Sequence, residues 1–172
     1  MSCNKYFQAV FLVILSAMLA SACSAKDEAL KLADFTKNSV TVSIYLTTPK
    51  DGPSFLVAAF VPSDGLHLYS KDIPRNGVDG LGRPTLLELT QASQMKAAGE
   101  LMESVAAQFP DFEPKELLVY PAGVVTLTLP VTLPSDTGWM DDEISVTYMA
   151  CNDTGCRAPV VNQIIAVRIP IQ

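Results

Sequence analysis

From Val40 onward, apolar and polar residues alternate: in VTVSIYL, Val40, Val42, Ile44 and Leu46 fall on one face at period two, with Thr41 and Ser43 among the residues between them. That period belongs to a strand with one side buried. TTPKDGPS then reads as a turn, because proline fixes φ and glycine supplies positive φ. FLVAAFVP and GLHLYS follow as further strands, and the strand pattern returns in VVTLTLPVTL, EISVTYMAC and IIAVRIPI. Pro130 inside VVTLTLPVTL predicts an edge or a bulge, since proline cannot donate to a ladder. In EISVTYMAC, Ile144, Val146, Tyr148 and Ala150 share one face, and Ser145, Thr147, Met149 and Cys151 share the other. Cys151 therefore ends a strand on its less apolar face.

Two stretches break the pattern. KDIPRNGVDGLGRP, rich in glycine and proline, predicts a long loop of the kind that is often functional in a compact domain. Over residues 91–109, Met95, Ala98, Met102, Val105 and Phe109 recur at helical spacing, and the composition favours a helix, although Gly99 weakens it by about 1 kcal/mol. Six or more short strands separated by turns predict an all-β antiparallel β-sandwich with a long loop or short helical insertion. At 172 residues, 49% of them hydrophobic, the chain has material for one sizeable core, which we expect over residues 37–172.

The first 22 residues read as a signal peptide: Lys5 gives a weakly positive start, AVFLVILSAMLA an apolar stretch, and ASA small residues before Cys23. LASAC resembles the lipobox of bacterial lipoproteins, which implies lipidation at Cys23 and a membrane anchor, while Ala20-Ser21-Ala22 fits an ordinary small-x-small cleavage site equally well. Residues 23–36 are then expected to form a tether without fixed structure. A net charge of -6 with no basic run excludes a phosphate backbone as a favoured partner, so no nucleic acid is expected.

Chemistry concentrates in the four cysteines. Export removes Cys3 and sets Cys23 on the tail, leaving Cys151 and Cys156 in the folded body under oxidising conditions that favour their pairing. NDTG between them is rich in turn formers and can bring the two together at the usual Cα separation of about 5.5–6 Å. A structural staple is one reading, but closing so small a ring stabilises a fold by only about 2 kcal/mol. A metal clip is poorly supported, because two thiolates leave zinc two ligands short and His67 is the only histidine; no metal is expected. Redox exchange is the third reading. No helix begins at Cys151 to lower a thiol pKa, while Arg157 would favour a thiolate at Cys156 and Asp153 would oppose it.

GLHLYSKDIPRNGVDGLGRPT, LLVYPAGVVTLTLPV and VTYMACNDTGCRAPV, taken in that order, resemble the N-terminal periplasmic domain of the thiol:disulfide interchange protein DsbD. The resemblance spans about Val40 to Ile169, and its most specific element is VTYxxCxDxxCxxP. It implies an immunoglobulin-like sandwich with Cys151 and Cys156 as an exchange pair, and Cys156 as the cysteine joined to partners. The family's GYYLY strand sets two aromatic side chains beside the pair; these fall on His67 and Tyr69, and His67 departs from the aromatic. FPDFEPK takes the place of the family's cap loop, which makes Asp111, Phe112 and Glu113 the cap residues, with Phe112 as lid. The resemblance also pulls residues 91–109 towards extended structure. The partners it implies are thioredoxin-fold oxidoreductases and a separate membrane electron donor, with no cofactor, on the periplasmic side of a bacterial membrane. The competing expectation is a non-catalytic β-sandwich lipoprotein whose disulfide pins a hairpin and which acts as a binding module.

Overall fold

The computed structural model describes residues 29–171. The expected signal peptide and lipidation site, Cys23, lie outside the described residues. Within them the chain runs through β1 (Leu30–Lys37), β2 (Val40–Thr47), β3 (Ser54–Pro62), β4 (His67–Leu68), β5 (Leu86–Leu89) and β6 (Lys96–Ala97). It continues through β7 (Met102–Glu103), β8 (Val125–Thr132), β9 (Gly138–Tyr148), β10 (Ala150–Asn152), β11 (Gly155–Cys156) and β12 (Val160–Ile171). Every named strand pairing is antiparallel.

One sheet runs β1-β2-β3-β8, with the short β6 and β7 each pairing the far side of β8, and the facing sheet runs β12-β9-β5. Setting β1 aside, chain order maps β2, β3, β8 and β6/β7 onto the A-B-E-D sheet of an immunoglobulin domain, and β5, β9 and β12 onto its C-F-G sheet. The all-β, immunoglobulin-like sandwich expected from the sequence is what the chain forms. Its core is built from alternate residues of both sheets: Val42, Ile44, Leu56, Phe60 and Leu127 on one side meet Leu87, Ile144, Val146, Tyr148 and Ile169 on the other. Phe60 on β3 meets Tyr148 on β9 edge to face at 5.8 Å, an aromatic contact across the sandwich. Each such side chain stabilises by about 1.5–3 kcal/mol on burial, so two of them already match what a six-residue disulfide ring can add.

Pro130 sits on β8 in register with Phe55 of β3. Its carbonyl accepts from Ala98 N at 2.8 Å, on the side where β8 has only the interrupted partners β6 and β7. The missing N–H points to that same side, which is how the fold accommodates a proline here.

Two expectations need correction. Residues 30–36 do not form a tether: β1 occupies them and pairs along β2, with a register shift between Lys31 and Ala33. Residues 91–109 hold no helix. Leu101, Glu103, Val105 and Ala107 are part-buried while Met102, Ser104, Ala106 and Gln108 are exposed, which is a strand period. Gly99, which reads as a weak point in a helix, lies against Pro130, where an added Cβ would come within 3.1 Å of the proline ring.

Candidate functional site

Beyond the sandwich, β9 passes through Met149 into β10, which turns back as β11 and pairs on its other side with β4. Asn152 makes the turn: its Oδ1 accepts from Thr154 N at 3.1 Å, Thr154 Oγ1 at 2.8 Å and Gly155 N at 3.1 Å. Cys151 and Cys156 are directly opposed across this hairpin and form a disulfide. Their Cα atoms are 4.0 Å apart, closer than the sequence-based expectation, because the two residues face each other on paired strands and do not flank a wide loop. Arg157 N donates to Ala150 O at 2.8 Å and closes the ladder beside them.

The two sulfurs have unequal surroundings. Cys151 is 2% exposed and packs with Tyr69, Ile73 and Leu117 in a small cluster separate from the main core, whereas Cys156 is exposed. On the other side of β10, Cys151 is in register with His67 of β4. Opposed residues on paired strands share a face, with Cβ atoms about 4.5–5.5 Å apart, so the imidazole projects to the disulfide's side of the sheet. Tyr69, two residues on, reaches the same face, and its hydroxyl lies 3.9 Å from Cys156 Sγ. The rings of His67 and Tyr69 meet edge to face at 5.4 Å, and Phe112 stacks on His67 at 5.9 Å.

Two loops wall this cleft, which has a volume of about 480 Å³. The first is the glycine-rich loop, where Val78 and Leu81 exchange backbone hydrogen bonds of 3.0 and 2.9 Å. Arg83 holds it closed by donating through Nη1 to the carbonyls of Asn76 (2.9 Å), Gly80 (3.1 Å) and Gly82. Gly82 has φ +71°, and a Cβ there would come within 2.7 Å of Leu117 Cδ1 and 3.3 Å of Tyr69, so only glycine lets the loop lie on the tyrosine. The second is the 110–117 loop, closed at its base by reciprocal bonds between Gln108 and Val119 of 2.7 and 2.9 Å. Inside it, Lys115 Nζ donates to Pro110 O at 3.0 Å and Lys115 N to Glu113 Oε2 at 3.1 Å.

Burial sets the electrostatics. It lowers the His67 pKa below its ordinary value, against a weaker opposing pull from Asp153, and it raises that of Tyr69. Near neutral pH both rings are therefore uncharged. His67 Nε2 is buried and has no hydrogen-bond partner among the described residues.

Of the residues expected from the sequence, Cys151, Cys156, His67, Tyr69, Phe112 and Glu113 all line the cleft. Asp111 is exposed and is not part of its wall. Phe112 is 37% exposed, so it covers the imidazole without being a core residue. Sequence reading missed Leu81, Gly82, Leu117 and Met149. The glycine spacing of the first loop pointed towards Leu81 and Gly82, and strand alternation put Met149 on the face of Cys151 without giving it a role.

No family model matches the chain, and no curated protein matches it. Among solved structures the chain is similar to the "Crystal Structure of Neisseria meningitidis DsbD n-terminal domain in the reduced form", at 16% sequence identity and a TM-score of 0.45, covering 75% of this chain and 89% of that one.

Proposed function

We propose that this chain exchanges disulfides for thiols through Cys151 and Cys156, carrying two electrons to or from thioredoxin-fold oxidoreductases on the periplasmic side of a bacterial membrane. Its electrons come from a separate membrane donor, and lipid at Cys23 tethers it. The observation that carries the reading is the asymmetry of the pair: one disulfide presents the exposed Cys156 to a cleft and keeps Cys151 2% exposed behind it. The sequence resemblance in VTYMACNDTGCRAPV supports the same assignment.

In the reducing direction, a partner thiolate attacks Cys156 Sγ, the bond to Cys151 breaks, and Cys151 leaves with the electron pair and takes up a proton. The partner's second thiolate then attacks the mixed disulfide, so that the partner ends oxidised and the chain holds two thiols. The reverse sequence returns the pair of electrons. The pair lies on a hairpin and not at a helix N-terminus, so no helix dipole lowers a thiol pKa strongly. That suits a carrier better than a strong oxidant.

Trapping tests the reading. In the full chain with Cys3→Ser and Cys23→Ser, Cys151→Ala leaves the exposed sulfur alone and Cys156→Ala leaves the buried one. The probe is a thioredoxin-fold protein with a single active-site cysteine, activated as its thionitrobenzoate mixed disulfide. The Cys151→Ala chain is expected to form a covalent complex resolved by reductant, and the Cys156→Ala chain to form little. Capture by neither would overturn the proposal, and equal capture by both would overturn the choice of Cys156.

A further inference from the structure

Among the described residues, His67 Nε2 is the one buried side-chain nitrogen or oxygen left without a hydrogen-bond partner. The residue opposite His67 in the ladder is Cys151. Leaving a buried acceptor or donor unpaired costs about 1–3 kcal/mol, and a histidine whose role was packing alone would be cheaper as an apolar ring. A disulfide sulfur has no proton to offer. Reduction creates an S–H at Cys151, on the face that the imidazole shares. An S–H at Cys151, in register with His67, supplies a donor that the unpaired nitrogen lacks in the disulfide form.

We infer that His67 is the general base for Cys151: its Nε2 takes the thiol proton when Cys151 attacks the mixed disulfide at Cys156 and passes it through solvent to the leaving partner thiolate, and in the reverse step an imidazolium at His67 protonates Cys151 as it leaves. This rests on the exchange reading and assigns a role within it. The step balances as follows. Cys151 Sγ loses its proton to Nε2 and attacks Cys156 Sγ; the Cys151–Cys156 bond forms, the bond from Cys156 to the partner breaks, and the partner sulfur leaves with the electron pair. Two thiols are oxidised and one partner disulfide is reduced to two thiols.

The setting explains why a base is needed at this sulfur and not at the other. Cys151 is 2% exposed, so water does not reach it freely and burial disfavours its thiolate. Cys156 is exposed and has the Tyr69 hydroxyl 3.9 Å away. The charged or titratable groups that face the imidazole are Asp153 from the β10–β11 turn, Glu113 from the 110–117 loop and Tyr69 from its own segment. Asp153 favours imidazolium, but burial outweighs it and keeps the ring neutral, as a base must be. Phe112 stacked on one face and Tyr69 against an edge fix the ring's plane.

The test separates the two thiols with 5,5′-dithiobis(2-nitrobenzoate) acting on the reduced full chain carrying Cys3→Ser and Cys23→Ser. The first thionitrobenzoate released reports attack by Cys156, and the second reports attack by Cys151 on the mixed disulfide. His67→Phe keeps the aromatic packing, and His67→Gln keeps a hydrogen-bonding group that cannot accept the proton. In both variants the ratio of the second rate to the first is expected to fall about tenfold or more at neutral pH. The wild-type second phase should rise with pH to a plateau below the ordinary thiol range, and the variants should lose that plateau. An unchanged ratio and pH profile in whichever variants fold, with both releases still seen, would overturn the role of His67 and leave the exchange reading standing. Absence of the second release in the wild-type chain would overturn both.

Discussion

Tyr69 shows how one side chain serves both the fold and the chemistry. Its backbone carbonyl accepts from Thr85 N at 3.2 Å and Thr85 Oγ1 at 2.7 Å, which ties β4 to the segment leading into β5. Its ring carries Gly82, and its hydroxyl lies beside Cys156 Sγ. In the dithiol form that hydroxyl can donate to a thiolate, an interaction worth about 1 kcal/mol. Tyr69→Phe should therefore lower the thiolate fraction of Cys156 about fivefold at neutral pH, with the fold unchanged. The check is the pH dependence of iodoacetamide labelling in a Cys151→Ala background. A profile unmoved by the substitution would assign Tyr69 to packing alone. On the buried side His67 stands in register with Cys151, the position from which the inferred base would serve the second sulfur.

At the scale of elements, the 90–95 segment depends on one carboxylate. Asp142 of β9 is 6% exposed and accepts from Ser93 Oγ (3.0 Å), Met95 N (3.2 Å), Glu143 N (2.7 Å) and Gln94 N. Asp142→Ala would leave these donors without their acceptor and should cost about 3 kcal/mol, read as a lowered urea midpoint at constant slope. A change under about 0.5 kcal/mol would show that water replaces the carboxylate freely. The strands that sequence made legible are those with an unbroken period of two and one dry face, such as β2 with Val40, Val42, Ile44 and Leu46 buried. β1 escaped because its register shift between Lys31 and Ala33 breaks the alternation of Leu30, Leu32 and Phe35. In residues 91–109 the strand-period burial of 101–108 is not mirrored in polarity, because Glu103 lies on the part-buried side and Met102 and Ala106 on the exposed side, and alanines with two methionines imitate a helix. The disulfide pair, His67, Tyr69 and Phe112 were readable because strand spacing and a family-like motif point to them. Leu117 was not, since what makes it part of the cleft is contact between segments far apart in the chain.

For the whole molecule, the division of labour follows from where the two apolar clusters lie. The main core between the sheets contains neither cysteine of the pair, while the smaller cluster of Tyr69, Ile73, Leu117 and Cys151 supports the hairpin from below. The sandwich thus presents a short disulfide-bearing hairpin, walled by two loops that are each closed by their own hydrogen bonds. The main burial lies in the first cluster, and the proposed exchange takes place beside the second. Opening the disulfide should leave the sheets intact, since a six-residue ring contributes only about 2 kcal/mol against the burial of the two sheet faces. The most direct measurement is the reduction potential of the Cys151–Cys156 bond, by equilibrium with a thioredoxin-fold protein of known potential. The account predicts a value above about -300 mV, in the range where thioredoxin-fold proteins exchange electrons. A value well below that would mark an inert structural bond and contradict the assignment of this hairpin as the working part of the protein.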